Sequence, residues 1–227
     1  MNHTLLQMIR EGEHLKLDFK FCITDSRKIA RSLVAFANTE GGSLLIGVKD
    51  NGSIVGVQSD EEYYMAEAAA KIYAKPPILF FTKQWHYEAK TVLQIRVHPS
   101  PDRPHFAKDE EGRWLAYVRY NDENRLAGKV MIDAWNKEKR NEGITIKITE
   151  ADRFLLQYLD EHAFITVSAF ARKASLPIRQ AEQILSDYIA LGIVHPYFGG
   201  SHVLYQLNAS FDLDHWMKDN SLEMRFK

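Results

Sequence analysis

Four side chains have the types and spacing for phosphoryl chemistry: Glu13, Asp18 and Lys20 in the run EHLKLDFK, and Asp50 further along. Two or three carboxylates with a lysine can hold Mg2+ or Mn2+ against a phosphodiester while the lysine stabilises developing charge. They converge if a strand through 15–20 lies beside one through 43–49. The same residues also suit a solvated strand face with ordinary ion pairs, each worth about 0–1 kcal/mol. Spacing alone favours that plainer arrangement.

A second set can make phosphate contacts without chemistry. Lys16 and Lys20 alternate on one strand, Arg27, Lys28 and Arg31 share a helix face, and Arg119 and Arg125 flank the polar run YNDENR. A third set, Arg179, Gln180 and Gln183, with Ser186, falls on the outward side of a late helix, where such side chains can read base edges. Glu182 and Asp187 share that helix and oppose a polyanion.

Other chemistries find little support. Gly42 and Gly47 have phosphate-loop spacing, but Val48-Lys49-Asp50 replaces the lysine–serine pair and the intervening Ser-Leu-Leu-Ile reads as strand. ATP is therefore not expected. Nine histidines are scattered and there is no cysteine pair for zinc. The single Cys22 reads as a small filler and points to a reducing compartment.

The elements that must position these residues follow from periodicity. Residues 4–10 read as a short helix with Thr4 as cap. In 15–20, Leu15, Leu17 and Phe19 alternate with Lys16, Asp18 and Lys20, predicting a half-buried strand with a charged outer face. Apolar residues from Ile29 to Ala37 fall at helical spacing after Asp25-Ser26, and Gly41-Gly42 ends that helix. Residues 43–48 and 53–57 read as a hairpin around Asp50-Asn51-Gly52. A helix over 60–73 stops at Lys75-Pro76-Pro77. Strands are expected at 78–81, 84–87, 91–97, 104–107 and 113–120, and a last helix of this region at 127–139.

Asn141-Glu142-Gly143 then reads as a linker. Beyond it come helices at 150–162, from Ser168, and after Pro177, whose Ile178, Ala181, Leu185 and Tyr188 are expected to face inward. A hairpin through 193–197 and 202–207 closes the series. Helix, helix–turn–helix and wing is the winged-helix order. Aromatic residues Phe211, Trp216 and Phe226 in the tail suit packing on a neighbouring molecule.

Net charge is −1, and the first 142 residues carry 21 basic and 20 acidic side chains. Bulk charge therefore argues against strong non-specific DNA binding and requires a local basic patch. There is no apolar run long enough for a membrane span and no secretory signal pattern, so a cytoplasmic location is expected.

The order Glu13-x-Leu15…Asp18-Phe19-Lys20, Ala35-Phe36-Ala37-Asn38-Thr39-x-Gly41-Gly42, Ile46-Gly47-Val48-x-Asp50-x-Gly52 and Tyr117-Val118-Arg119 resembles the Schlafen AlbA-like domain family. The resemblance covers about residues 8–130. It implies a nucleic-acid-binding module, which in bacteria often precedes a winged helix in proteins labelled transcriptional regulators. Some eukaryotic relatives cleave tRNA and rRNA with three acidic residues, which correspond here to Glu13, Asp18 and Asp50. Position 18 is usually glutamate in the family. Those relatives use a paired clamp, so one copy would have to form a homodimer.

The sequence thus predicts an α+β chain: a mixed-sheet Schlafen AlbA-like domain at 1–142 and a winged-helix domain at 143–227. The expected function is nucleic-acid binding, with double-stranded DNA as partner, in transcriptional regulation and without a cofactor. Alternatives are a metal-dependent endoribonuclease acting on RNA and a non-catalytic dimerisation scaffold.

Overall fold

The computed structural model describes residues 4–57, 59–139, 144–200, 202–213 and 223–226. The expected linker at Asn141–Gly143 and the tail residue Trp216 lie outside these. The chain divides into two compact units, Met1–Ala127 and Gly128–Lys227.

The first unit is built around helix α2 (Ser26–Asn38). Asp25 caps it by accepting from the Arg27 amide, and nine of its thirteen residues are buried, Leu33, Val34, Ala35 and Phe36 completely. A helix apolar on most sides needs cover on most sides. Two four-stranded sheets and helix α3 (Glu61–Lys71) supply it.

The first sheet has the order β1 (Leu17–Lys20), β2 (Gly42–Ile46), β5 (Lys90–Val97), β4 (Phe80–Tyr87). β1 and β2 are parallel, with α2 as their crossover, and place Asp18 opposite Leu44; the other pairs are antiparallel. Alternation divides its side chains. Leu44, Ile46, Leu93, Ile95 and Val97 join the core around α2. Leu17, Phe19, Leu45 and Val92 point the other way and pack with Leu5 and Met8 of helix α1 (Leu5–Glu11). Thr4 caps α1 in a capping box with Gln7.

The second sheet is antiparallel, with the order β3 (Ala74–Lys75), β6 (Phe106–Lys108), β7 (Trp114–Tyr120), β8 (Glu123–Leu126). Its strands β6 and β7 lie against α2. Asn38, buried at the end of α2, ties the helix to this side. Its Nδ2 donates to the carbonyls of His105 and Tyr117, both at 2.9 Å, and its Oδ1 accepts from the His105 amide at 2.7 Å.

Several expectations are revised. Residues 53–57 turn back on 43–48 around Asp50–Gly52, with an antiparallel bridge from Val48 to Ile54 and the Gly47 carbonyl accepting from the Val55 and Gly56 amides, but they form no regular strand pair, and the neighbours of β2 are β1 and β5. Residues 80–87 form one strand instead of two short ones. The run YNDENR is mostly strand β8 and its turn. The two phosphate-loop glycines are required by packing: a Cβ at Gly42 would meet the Phe36 ring at 2.3 Å, and one at Gly47 would meet Gly56 at 2.8 Å.

In the second unit, helix α4 (Lys129–Glu138) packs on helix α7 (Ile178–Ala190). The sequence border at 142 therefore falls one helix later than the border between compact units. Helices α5 (Glu150–Glu161) and α6 (Val167–Lys173), with α7 and the hairpin β10 (Val194–Tyr197)–β11 (Leu204–Leu207), enclose a core of Leu155, Leu156, Phe170, Leu185 and Tyr188. An antiparallel pair, β9 (Ile144–Lys147) and β12 (Glu223–Phe226), was not foreseen. Phe211, expected to reach a neighbour, packs against this unit's own core.

Asn38→Ala leaves two buried carbonyls and one buried amide without their partner. It is expected to cost about 2–4 kcal/mol, each orphaned group contributing about 1–3 kcal/mol. Urea unfolding with an unshifted midpoint would remove Asn38 from its role as the tie between α2 and the second sheet.

Candidate functional site: an acid pair and the surrounding cations

Strand β1 brings Glu13 and Asp18 together. Tight turns before the strand let Glu13 fold back, and its Oε1 accepts from the Phe19 amide at 2.8 Å. Burial, a hydrogen bond with Asp18 and the Asp18 charge raise the Glu13 carboxyl to about 7; Lys20 and the Phe19 amide act against that rise. Glu13 thus keeps a proton up to about pH 7.

Asp18 is 3% exposed, although alternation predicts an outer face for it. The reason is a second layer: the side of β1 opposite α1 meets α2 and β7 instead of water. Ser32 Oγ donates to Asp18 Oδ2 at 3.3 Å, and Lys20 Nζ donates to Oδ1 at 3.1 Å. Arg119, also 3% exposed, places its Nη2 at 3.4 Å from the same Oδ1. Its Nη1 donates to Asn124 Oδ1 at 3.1 Å, and Nη2 donates to the carbonyls of Leu17 and His14 at 3.3 and 3.4 Å. Asn124 in turn donates to Ser32 Oγ at 3.0 Å.

Arg119 is therefore corrected from a phosphate contact to an internal partner of Asp18. Lys20 is committed in the same way, through Asp18 and the Phe19 carbonyl at 2.7 Å. Asp50 does not join the pair. It is exposed in the turn beyond β2, and among the described residues no three His, Cys, Asp or Glu side chains are placed to hold a metal ion. Asp18 already faces two cations and a hydroxyl, and Glu13 holds its proton. A divalent cation would have to displace Lys20 and stand beside Arg119, so this donor set does not fit Mg2+ or Mn2+.

Of the other cations of the first unit expected to contact phosphates, all but Lys28 face acids. Lys16 meets Glu40 at 2.7 Å, Arg27 meets Asp25 at 3.1 Å, Arg31 meets Glu110 at 3.9 Å and Arg125 meets Glu123 at 2.7 Å. Lys28 is exposed and makes no ion pair among the described residues. Arg31 and Arg125 each keep a buried Nε without a hydrogen-bond partner.

A family model described as Schlafen, AlbA_2 matches residues 13–128, nearly the span of the first compact unit. The chain belongs to this family. The Schlafen AlbA_2 region thus starts at Glu13 and includes the whole Asp18–Arg119 network. Two solved structures are similar to parts of the chain. The DIP2311 protein of Corynebacterium diphtheriae is 17% identical over 65% of this chain and 30% of its own, with a TM-score of 0.42. The N-terminal domain of a RecG-related protein of Nitrosomonas europaea is 17% identical over 56% of this chain and 91% of its own, with a TM-score of 0.40. This chain therefore spans less than a third of the diphtheria protein.

In the second unit, Arg179, Gln180 and Gln183 are exposed on α7, and Arg179 makes no ion pair among the described residues. Ser186 is buried, contrary to expectation: it donates to the Gln183 carbonyl and accepts from Lys137 Nζ at 2.6 Å. Ile178, expected inside, is exposed. Lys129 meets Glu182 at 3.0 Å and Lys137 meets Asp187 at 2.6 Å, so α4 neutralises both acids of α7. Sequence reasoning missed Phe81, Lys83, Trp85 and Arg96. Their signal is period two on adjacent strands, which share one face of the first sheet.

Two outcomes test the network. Arg119→Met leaves Asp18 buried beside Glu13 without its guanidinium and is expected to cost about 3–5 kcal/mol, while adding Asp18→Asn recovers most of that loss. Additive losses in denaturant melts would show that the two side chains act separately. For Glu13, folded and unfolded chains are both protonated below its ordinary value of 4.5. Between 4.5 and about 7 the folded chain keeps a proton that the unfolded chain releases, so stability falls as pH rises through that window. With solvent screening the loss should be about 1–2 kcal/mol, and Glu13→Gln should flatten it. A melting temperature with the same pH dependence in wild type and Glu13→Gln would exclude this assignment.

Proposed function

We propose that the protein binds nucleic acid and acts on double-stranded DNA as a cytoplasmic transcriptional regulator, its second unit working as a winged helix. One observation carries this reading: α7 presents Arg179, Gln180 and Gln183 to solvent while Lys129 and Lys137 neutralise its two acids. Arginine can pair bidentately with guanine, and glutamine with adenine, in the major groove. With Glu182 and Asp187 compensated, the exposed end of α7 carries the positive charge of Arg179 toward the phosphates.

The element order supports the reading. Helices α5, α6 and α7 are followed by the β10–β11 hairpin, the order of a helix–turn–helix with a wing. The hairpin segment HPYFGGSH has no lysine or arginine, so groove reading and one phosphate contact, by Arg179, fall to α7 and the remaining phosphate positioning to other cations. In the first unit Lys28 is available at once. Arg27, Arg31 and Arg125 would exchange their surface acids for phosphates. A homodimer would present two copies of α7 to successive half-sites.

This mechanism uses no cofactor. The Glu13–Asp18 pair serves as a structural element in it, because Lys20 and Arg119 already occupy the positions a metal would need.

Arg179→Ala combined with Gln183→Ala is expected to weaken binding of a mixed-sequence 30-base-pair duplex at least tenfold at fixed salt. The slope of log affinity on log salt should fall by about 1, as for one lost phosphate contact. Both residues are exposed, so the fold should be unaffected. An unchanged gel-shift titration would sink the assignment to α7.

A further inference from the structure

The α1 side of the first sheet is only partly covered. α1 lies over Leu17, Phe19 and Leu45, and beside it an open groove of about 600 Å³ runs across β2, β5 and β4. Register explains its lining. Phe81, Lys83 and Trp85 alternate along β4, opposite Arg96, Gln94 and Val92 of β5, so these side chains share one face. Phe81 is 62% exposed and meets His98 edge-on at 5.5 Å between ring centres.

The floor is held in place. Trp85 Nε1 donates to Gln94 Oε1 at 2.8 Å, and Gln94 Nε2 donates to Ser43 Oγ at 2.9 Å. Lys83 Nζ sits 3.4 Å from the centre of the Trp85 ring. Arg96 is exposed and makes no ion pair among the described residues. At the α1 rim, Lys16 is paired with Glu40 and His14 approaches Glu11 at 3.8 Å. The groove's cations without a carboxylate partner among the described residues are Lys83, on the half-buried Trp85 ring, and Arg96, opposite the exposed Phe81 ring.

From this arrangement we infer that the groove binds a single-stranded nucleic-acid segment, whose bases stack on Phe81 and His98 while Arg96 and Lys83, the latter held over the Trp85 ring, contact its phosphates. Unpaired cations between aromatic rings are what an unpaired strand requires. A duplex hides its base faces and gains nothing from the rings. An acidic peptide would use the two cations and leave the rings idle. The inference deepens the nucleic-acid reading above and rests on it for the ligand class. It uses none of the residues of α7.

The test is fluorescence anisotropy with the full chain and labelled dT12, U12 and a 12-base-pair duplex. Wild type should bind both single strands. Phe81→Ala should weaken them about 5- to 100-fold, as expected for one lost stacking contact, while Phe81→Trp keeps the ring and retains affinity. Arg96→Ala should lower the salt slope for dT12 by about 0.7. Neither variant should change duplex binding, and Arg179→Ala with Gln183→Ala should leave dT12 binding unchanged. Wild-type affinity for dT12 in both Phe81→Ala and Arg96→Ala overturns the inference. So does displacement of dT12 by polyglutamate as effective as by unlabelled dT12. Duplex binding with no single-strand binding sinks the groove and leaves the α7 reading standing; the opposite pattern does the reverse.

Discussion

The first unit depends on one buried ion pair. Asp18 comes from the first sheet and Arg119 from the second, and their charged groups meet beside the helix that both sheets cover. Removing two charges from water is costly, and the pair persists only because nearly every other polar atom is engaged. Asp18 takes Ser32 and Lys20; Arg119 takes Asn124 and two carbonyls, with the Phe36 ring 5.3 Å from its guanidinium carbon. Such a network adds less to net stability than to uniqueness of register. A shift of β1 by one residue would put Leu17 or Phe19 in place of Asp18 and leave Arg119 unmatched. The same commitment removes Lys20 and Arg119 from any surface role.

Helix α2 turns this pairing into an architecture. A helix buried on most sides cannot tolerate polar residues except where they meet partners, and its two buried polar side chains do. Ser32 reaches Asp18, Asn38 reaches the β6–β7 side, and Thr39 just beyond its end accepts from the Arg119 amide while donating to the Ala35 carbonyl. Gly42 then lets β2 start against Phe36. The motif Ala-Phe-Ala-Asn-Thr-x-Gly-Gly is thus a description of a helix passing between two sheets. Its residues carry packing and hydrogen bonding, and the exposed chemistry lies elsewhere.

Much of this was legible because helical and strand periods differ. α1, α2, α3, α5 and α7 stand within a few residues of their expected limits, with Thr4 and Asp25 capping as their types suggest. What failed was inference about which face is buried. Alternation in LKLDFK shows two faces and cannot show that both are covered, so Asp18 and Arg119 read as surface residues. The stripe Phe81-Lys83-Trp85 was lost for a related reason. Exposed residues on an edge strand carry no apolar run, and the segment divided into two short strands where the structure has one. The partner of α4 was not legible because its apolar stripe specifies a partner without naming it; the lysines that identify the partner, Lys129 and Lys137, became informative only opposite Glu182 and Asp187.

Charge balance then decides where a nearly neutral chain can hold a polyanion. A cation already facing a carboxylate gains little from a phosphate, because it must give up one anion to take the other and leaves the first unpaired. Arg27, Arg31, Arg125 and Lys16 are all in that position. Electrostatic attraction therefore rests on cations without an acid, among them Lys28, Arg96 and Arg179, with Lys83 held on a ring instead of a carboxylate. These lie on separate elements, and two of them stand among side chains suited to contact bases: rings around Arg96, glutamines around Arg179. Only the cations that one ligand reaches together displace counterions, so the salt dependence of each site is shallow. Selectivity must then come from the side chains beside each cation. The chain's net charge of −1 is thus compatible with nucleic-acid binding. What it excludes is binding in which charge does the discriminating.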